Sequence, residues 1–141
     1  LLRLTGSYNI AFSAKSRVQI NTDNYFLGSQ KILVNELYRF GGFNSIRGLN
    51  ENVLQAHSFT SLMNNYYYLV APNLNVQILS DFGFFSDQTT NISKTVFAAG
   101  AGFVLATKNG FLNFTYAFSR LSGTENSFRN ALAHISFKSY F

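Results

Sequence analysis

The clearest secondary structure in this sequence lies in Asn109-Gly110-Phe111-Leu112-Asn113-Phe114-Thr115-Tyr116-Ala117-Phe118-Ser119. The Asn-Gly pair favours the tight turn that joins two antiparallel strands. After the turn, four large apolar residues alternate with small or polar residues, which is the two-residue period of a β-strand. The segment therefore predicts a hairpin whose second strand, residues 112–119, has one apolar face and one polar face.

The same period extends in both directions from this hairpin. We predict seven strands, at residues 2–14, about 17–26, 57–70, 75–85, 94–107, 112–119 and 130–141. In the fourth of these, Ile78 and Phe82 lie on one face while Gln77 and Asp81 lie on the other. The facing of strand 57–70 is ambiguous. The pattern predicts an all-β, antiparallel architecture.

Composition agrees with strands and excludes several function classes. Of 141 residues, 16 are Phe, 8 are Tyr, one is Pro and only 12% are charged, which suits half-buried strands better than soluble helices. No apolar run approaches the ~20 residues of a membrane-spanning helix. The absence of cysteine excludes disulfides and thiolate metal sites. The net charge of +5 is scattered, so it predicts no nucleic-acid groove, although it is compatible with anionic lipid headgroups.

The connections between the strands discriminate two architectures. They alternate between short, at Lys15, Pro72 and Asn109, and longer, at residues 27–56, 86–93 and 120–129. Outer-membrane barrels have tight periplasmic turns and longer extracellular loops, with strands of about 10 residues that span the bilayer. We therefore expect residues 1–141 to belong to a transmembrane up-and-down β-barrel. A soluble sandwich or lipocalin-like barrel is the alternative.

Seven strands are not a complete bacterial barrel. Single-chain barrels close with an even number of strands, because an open edge in lipid leaves backbone groups unpaired. The chain also begins at Leu1 rather than at methionine. We expect it to be a piece of a longer protein, with further strands supplied upstream or by another chain.

The connection at residues 27–56 contains the least strand-like stretch, Leu37-Tyr38-Arg39-Phe40-Gly41-Gly42-Phe43-Asn44-Ser45-Ile46-Arg47-Gly48-Leu49. Its glycines permit sharp turns and a close approach to a neighbouring wall. An arginine held in such a loop usually has an anionic partner. The alternative is a solvated loop in which Arg47-Gly48 has no role.

Three motifs resemble one family, the polypeptide-transporting outer-membrane barrels that include the BamA and TamA assembly factors and the two-partner-secretion transporters. The stretch Gly41 to Leu49 resembles the family's loop signature, and Ser80-Asp81-Phe82-Gly83 resembles its Asp-x-Gly strand motif. The last strand, with Ile135, Phe137 and the terminal Phe141, resembles the C-terminal recognition signal of outer-membrane barrels. The resemblance covers the whole chain as about the last seven of sixteen strands.

The resemblance implies that the loop folds into the barrel lumen and that Arg47 pairs with Asp81 on the wall. The position of Asp81 on a polar face agrees, although a solvated carboxylate without a fixed partner is the alternative. Where family members often carry a glutamate, this chain has Asn65, which would add a neutral hydrogen bond. The implied loop residues are Gly41, Gly42, Ser45, Ile46, Arg47, Gly48 and Leu49, and the implied wall partners are Asp81, Gly83 and Asn65.

By the same resemblance, the protein inserts or translocates polypeptides in the bacterial outer membrane, with its C-terminus at the periplasmic side. A client strand would pair at a weak seam beside the last strand, without catalysis or a cofactor. The implied partners are outer-membrane lipid, client polypeptides, accessory periplasmic or lipoprotein subunits and the missing strands of the barrel.

A passive channel and a hydrolase are the alternatives to this interpretation. A passive channel would use polar lumen residues such as Arg17, Asp23, Asn113 and Lys138 to set ion preference, and its conductance would not depend on Arg47. A hydrolase could use His134 and Ser136, which share a face of the last strand, but no oriented carboxylate is evident. His57 and His134 are too isolated in the sequence to predict a metal site.

Overall fold

The computed structural model of the chain describes residues 1–29, 32–123 and 131–139. Seven strands form one antiparallel sheet in the order β1-β2-β5-β6-β7-β8-β9, and β3 and β4 form a separate small hairpin. One short 3-10 helix, Val34–Glu36, precedes β3, and no helix in the described part of the chain is long and apolar enough to cross a membrane. The strands are β1 (Leu2–Ala11), β2 (Ser16–Phe26), β3 (Tyr38–Phe40), β4 (Leu54–Ala56), β5 (Ser58–Ala71), β6 (Leu74–Asp87), β7 (Ile92–Thr107), β8 (Gly110–Leu121) and β9 (Ala131–Ser139).

The all-β, antiparallel prediction is confirmed, with each of the seven predicted strands paired to its neighbour in the predicted order. The sheet is open within the described residues, with β1 and β9 as its two edges. Strand β9 is described only as far as Ser139, so the predicted terminal Phe141 lies outside the described residues.

Two predicted boundaries are wrong for local reasons. The first strand ends at Ala11 rather than at residue 14, because the Ser13 hydroxyl accepts hydrogen bonds from the backbone amides of Lys15 and Ser16 and closes a turn. The predicted medium loop at 86–93 is shorter, since β6 and β7 stay paired as far as Asp87 and Ile92.

The polar residues at the β6–β7 connection explain why this loop is so short. The Asp87 carboxylate accepts hydrogen bonds from both the amide and the hydroxyl of Thr89, and Asn91 adopts a positive φ of 54°. Asx turns of this kind reverse a chain within a few residues. The predicted alternation of loop lengths is therefore weaker at this connection than the sequence indicates.

Directly opposed residues of antiparallel strands share a face, so the strand register defines two surfaces. The outer face is apolar and open, with Ile78 64% and Ile135 71% exposed. The inner face is polar and is partly covered by the connection between β2 and β5. Strand β5 turns Phe59, Ser61, Met63 and Asn65 inward, which resolves the ambiguity of its facing.

The core of the described chain lies between this connection and the inner face. Phe40 of β3 stacks on Phe59 of β5 with 4.1 Å between ring centroids and meets Phe85 of β6 edge-on at 5.1 Å. Such aromatic pairs stabilise by about 0.5–1.5 kcal/mol beyond the area that they bury. The remaining buried members of the cluster are Ile46, Ala56, Val96 and Ala98.

Candidate functional site

The loop between β3 and β4 begins with a turn that only glycine forms easily. Gly41 and Gly42 have φ values of 111° and 99°, a region that residues with a Cβ rarely adopt. The amide of Gly42 donates to the carbonyl of Ile46 at 3.1 Å, and the amide of Ser45 donates to the carbonyl of Gly42 at 3.1 Å. This compact turn directs Ile46 and Arg47 into the inner face of the sheet.

Arg47 meets Asp81 and Asn65 in a buried network. Its backbone amide and Nε donate to Asp81 Oδ2 at 3.0 and 2.9 Å, and Nη2 donates to Asp81 Oδ1. Nη1 donates to Oδ1 of Asn65. Arg47 is 5% exposed and Asp81 is fully buried. The predicted Arg47–Asp81 pair is therefore present as a bidentate ion pair, and the predicted neutral contact with Asn65 accompanies it.

The strand register accounts for this convergence. Asp81 on β6 lies directly opposite Met63 on β5, and Asn65 is the next inward-facing residue along β5. A carboxylate and an amide in this diagonal arrangement can both reach one guanidinium, whose donors form a fixed fork. The alternative of a solvated Asp81 without a fixed partner is wrong in this structure.

Two other glycines allow the loop to approach the wall closely. Gly83 leaves a hollow in β6, and a Cβ there would lie 3.1 Å from Cδ1 of Ile46, a fully buried side chain. Gly48 has a φ of 83°, and a Cβ there would lie 2.7 Å from the backbone carbon of Phe118 on β8. Side chains at these two positions would push the loop away from the sheet.

Strand β8 provides a contact that sequence reasoning did not single out. The Ser119 hydroxyl donates to the carbonyl of Gly48 at 2.8 Å, at a site where both residues are buried. The only signal in the sequence is that Ser119 belongs to the polar face of its strand. Together, Asn65, Asp81 and Ser119 attach the loop to β5, β6 and β8.

A second attachment holds the base of the loop. The Tyr38 hydroxyl donates to Asp23 Oδ2 at 2.8 Å, and Arg3 donates to both of these residues from the adjacent β1. Burial, followed by the hydrogen bond to Asp23, raises the pKa of the Tyr38 phenol above its ordinary value, so at neutral pH it remains a donor. The Tyr38 ring also stacks on Tyr25 of β2 at 4.7 Å.

The remaining predicted site residues occupy two regions. Leu49 packs against the core cluster, and the buried Ser45 hydroxyl has no hydrogen-bond partner among the described residues. On β9, Ile135 and Phe137 lie on the exposed outer face. These two residues therefore take no part in holding the loop.

His134 and Ser136, the two residues of β9 that a hydrolase could use, form no reaction centre in the described part of the chain. The His134 ring lies against Phe43 of the loop at 5.9 Å, and its Nε2 is buried without a hydrogen-bond partner there. No hydrogen bond joins it to Ser136 within the described residues. His134 instead marks the place where the tip of the loop reaches the last strand.

A cavity of about 250 Å³ separates part of the loop from the inner face. Side-chain amides dominate its lining, and Gln77 donates both to Asn113 at 3.0 Å and to Thr115 at 2.7 Å. The groups that hold the loop are engaged with one another, so the arrangement fixes a segment of chain against the sheet. No protein-family model matches this sequence, and a search of curated proteins finds no match.

Proposed function

We propose that this chain is the C-terminal part of a sixteen-stranded outer-membrane barrel that assembles outer-membrane proteins or translocates polypeptides. The observation that carries the proposal is the buried attachment of the Arg47 loop to the polar inner face, while the opposite face is apolar and open. A loop fixed inside a polar lumen is the arrangement that the motif resemblance implies.

The sheet is apolar on its open face and polar on its inner face, which is the reverse of a soluble protein. This arrangement supports a location in lipid. Large apolar side chains remain exposed along the outer face of β1, β6, β8 and β9, among them Leu4, Ile78, Tyr116 and Ile135. Soluble monomers rarely expose apolar surface this continuously, whereas a barrel presents such a surface to acyl chains. The strand lengths of 9 to 16 residues are sufficient to cross a bilayer at a tilt.

The positions of the turns suggest an orientation. Gly110, at the Asn109-Gly110 turn, pairs with Ser139 at the end of β9. We assign this end to the periplasm, and the end that carries the Arg47 loop to the cell exterior. In lipid, the edges of β1 and β9 need partners, which the remaining strands of the barrel would supply.

The mechanism that we propose is strand pairing without chemistry. Strand β9 and the first strand of the barrel form a seam, where a client polypeptide adds a strand to the open edge. The loop stiffens the wall beside this seam, since its attachments span β5, β6 and β8 and its Phe43 reaches His134 on β9. Accessory periplasmic or lipoprotein subunits would deliver the client.

Depletion of the parent protein, followed by quantitative proteomics of the outer membrane and the medium, tests this function. Wild-type protein, Asp81→Asn and the control Asp23→Asn are expressed in turn during depletion. A broad loss of barrel proteins would indicate an assembly factor, and the loss of one secreted protein would indicate a dedicated transporter. We expect Asp23→Asn to restore the lost proteins more fully than Asp81→Asn. Asp81 holds the buried centre of the loop, whereas Asp23 contacts only its base, where an asparagine oxygen can still accept from Tyr38.

If depletion changes neither population, the proposal fails and a passive channel takes its place. Conductance of the purified parent barrel in planar bilayers then becomes the relevant measurement. A channel would conduct equally with Arg47 and with Arg47→Gln, provided that both variants reach the bilayer in equal amounts.

A further inference from the structure

The outer face of the sheet carries a single charged side chain among the strand residues that the structure describes. The register places Arg120 of β8 directly opposite Phe97 of β7, which in turn lies opposite Phe82 of β6. The other outward positions described in this seven-stranded sheet are apolar, aromatic, hydroxyl, amide, alanine or glycine residues. A lone cation on such a surface needs a specific physical reason.

Arg120 lies where the outward side chains of β7 and β8 change from aromatic to hydroxyl. Its own row contains the tilted ring pair Phe82–Phe97, with 5.0 Å between centroids. One row nearer the loops, Ser122 and Thr95 are joined by two hydrogen bonds of 2.9 and 3.0 Å. A further row of hydroxyl groups follows. On β7 and β8 the outward side chains thus change from aromatic to hydroxyl, while the half-exposed Phe84 of β6 lies opposite Thr95. Such a change is expected where acyl chains give way to headgroups.

The guanidinium of Arg120 is available for a ligand. It is exposed and forms no hydrogen bond or ion pair with the described part of the chain, unlike the guanidinium groups of Arg3 and Arg47. Beside it lies a concavity of about 470 Å³. Its lining includes Phe82, Thr95, Phe97, Arg120, Ser122 and Gly123.

The hydroxyl groups in this concavity complement an anion. The Oγ of Ser122 accepts a hydrogen bond from the amide of Thr95, so its own proton remains free to donate. A Cβ built on Gly123 would meet none of the described residues within 4 Å, so Gly123 itself does not obstruct the concavity that it lines. Phe82 and Phe97 provide an apolar wall below it.

We propose that Arg120, with Ser122, binds the phosphate group of a membrane lipid headgroup, and that the adjacent phenylalanines contact its acyl chain. The inference rests on the proposed membrane barrel. An arginine near the membrane surface extends its head toward the headgroup layer, and its planar fork matches a phosphate. The joint presence of a cation, a hydroxyl donor and an apolar wall favours a lipid over free phosphate.

Lipid retention by the purified parent barrel tests the site. Wild-type protein, Arg120→Gln, Arg120→Lys and the control Lys108→Gln are placed in bilayers of an uncharged, phosphate-free galactolipid that contain a small fraction of phosphatidic acid. Native mass spectrometry then measures how much phosphatidic acid each protein retains. Lys108 is an exposed cation at the opposite end of the sheet, beside the Asn109-Gly110 turn.

We expect Arg120→Gln to retain phosphatidic acid about tenfold more weakly than wild type, with Lys108→Gln unchanged. Arg120→Lys should be intermediate, because it keeps the charge but loses the fork. Equal retention by wild type and Arg120→Gln would overturn the proposal, as would an equal loss in Lys108→Gln. Displacement of the lipid by an equal concentration of inorganic phosphate would indicate a free-phosphate site and would also overturn it.

Membrane insertion is measured first on the same samples, by protease protection in vesicles. If wild-type protein does not insert, the proposed function and the lipid site fail together. If it inserts and retention does not depend on Arg120, only the lipid site fails. Arg120→Gln removes a charge from the lipid-facing side, so it is not expected to impair insertion.

Discussion

Asp81 shows how one side chain can control the position of a whole loop. It is fully buried, and both of its carboxylate oxygens accept hydrogen bonds from Arg47, one of them from the backbone amide as well as from the side chain. Burying two charges is costly, and the pair tolerates burial only because its geometry satisfies these groups. Removal of one partner leaves the other charge without compensation.

We therefore predict that Asp81→Asn lowers the free energy of unfolding by about 3–5 kcal/mol, since Arg47 would remain buried without a counter-charge. Urea titration of the refolded parent barrel in detergent measures this change. The double variant Arg47→Met, Asp81→Leu should recover part of the loss, because it removes both charges together.

The matched control is Asp23→Asn, which breaks the Arg3–Asp23 pair near the base of the same loop. The side chain of Arg3 is 53% exposed, so water screens the pair and we expect a change of less than about 1 kcal/mol. Equal costs for the two aspartates would contradict the assignment of Asp81 as the principal anchor.

Gly48 offers a second test at the scale of one residue. Both Gly48 and Gly123 have a positive φ, 83° and 79°. A Cβ at Gly48 would meet the backbone of β8, whereas a Cβ at Gly123 would meet none of the described residues within 4 Å. We predict that Gly48→Ala lowers the free energy of unfolding by about 2 kcal/mol more than Gly123→Ala. The same urea titration measures both variants. Equal free energies of unfolding would show that the close approach of the loop to β8 does not require a glycine at position 48.

At the scale of elements, the connection between β2 and β5 is a folded unit attached at several points. Its base is held by Tyr38 and by the stacking of Phe40 on Phe59, and its centre by Arg47. Its tip reaches the last strand through Phe43. The solvated-loop alternative is therefore wrong, because the sheet buries this segment through both apolar and ionic contacts.

Cross-linking checks the contact between the tip and β9 in intact membranes. The chain has no cysteine, so Phe43→Cys combined with His134→Cys introduces one defined pair. With a short bifunctional thiol reagent, we predict a cross-link, because the native rings of Phe43 and His134 lie 5.9 Å apart on the inner side of the sheet. The product is detected as a shift in electrophoretic mobility after proteolysis between the two sites.

The control pair is Phe43→Cys with Ile135→Cys. Ile135 is adjacent to His134 in sequence but lies on the outer face, since successive strand residues point to opposite sides. This pair should not react with the same short reagent. Similar yields from the two pairs would mean that the loop does not rest on the inner face of β9.

In the whole molecule, the polar face of the sheet is partly covered and its apolar face is open. In a soluble protein a substitution at an exposed position such as Ile78 would change stability little. In a barrel the same side chain faces lipid, where a charge is costly. The effect of a charged substitution at Ile78 on folding therefore distinguishes a membrane barrel from a soluble sheet.

We predict that Ile78→Lys costs about 2 kcal/mol or more in insertion and reduces the amount of protein folded into vesicles. Val53→Lys, on the loop and 52% exposed, should change the free energy of folding by less than about 0.5 kcal/mol. Folded protein is quantified from the heat-dependent shift in gel migration. Full tolerance of Ile78→Lys would favour the soluble alternative.

Much of the fold could be predicted because strand period and turn chemistry are local. The alternation after Asn109-Gly110 predicts a hairpin from neighbouring residues alone, and the same rule predicts seven strands in the correct order. The connection predicted at 86–93 is too long, because serine is common in loops, whereas Ser86 and Ser93 pair with each other across β6 and β7.

The candidate site could be predicted only in part. The motif resemblance and the polar face of β6 predicted Arg47, Asp81 and Asn65, since these residues carry recognisable chemistry. Ser119 and the Arg3–Asp23–Tyr38 cluster were missed, because a serine or an exposed ion pair on a polar face has no distinctive local pattern. Their roles depend on which strand lies opposite the loop.

The strand period, the two faces of each strand and the glycines that let the loop turn can be predicted from the amino-acid sequence, because each depends on a few adjacent residues. Which apolar residues form a core and which remain open depends on tertiary packing. Phe59 and Phe84 are both phenylalanines on paired strands, yet one is buried under Phe40 and the other lies on the open face. That difference arises from the packing of a distant segment against one side of the sheet, which no local pattern specifies.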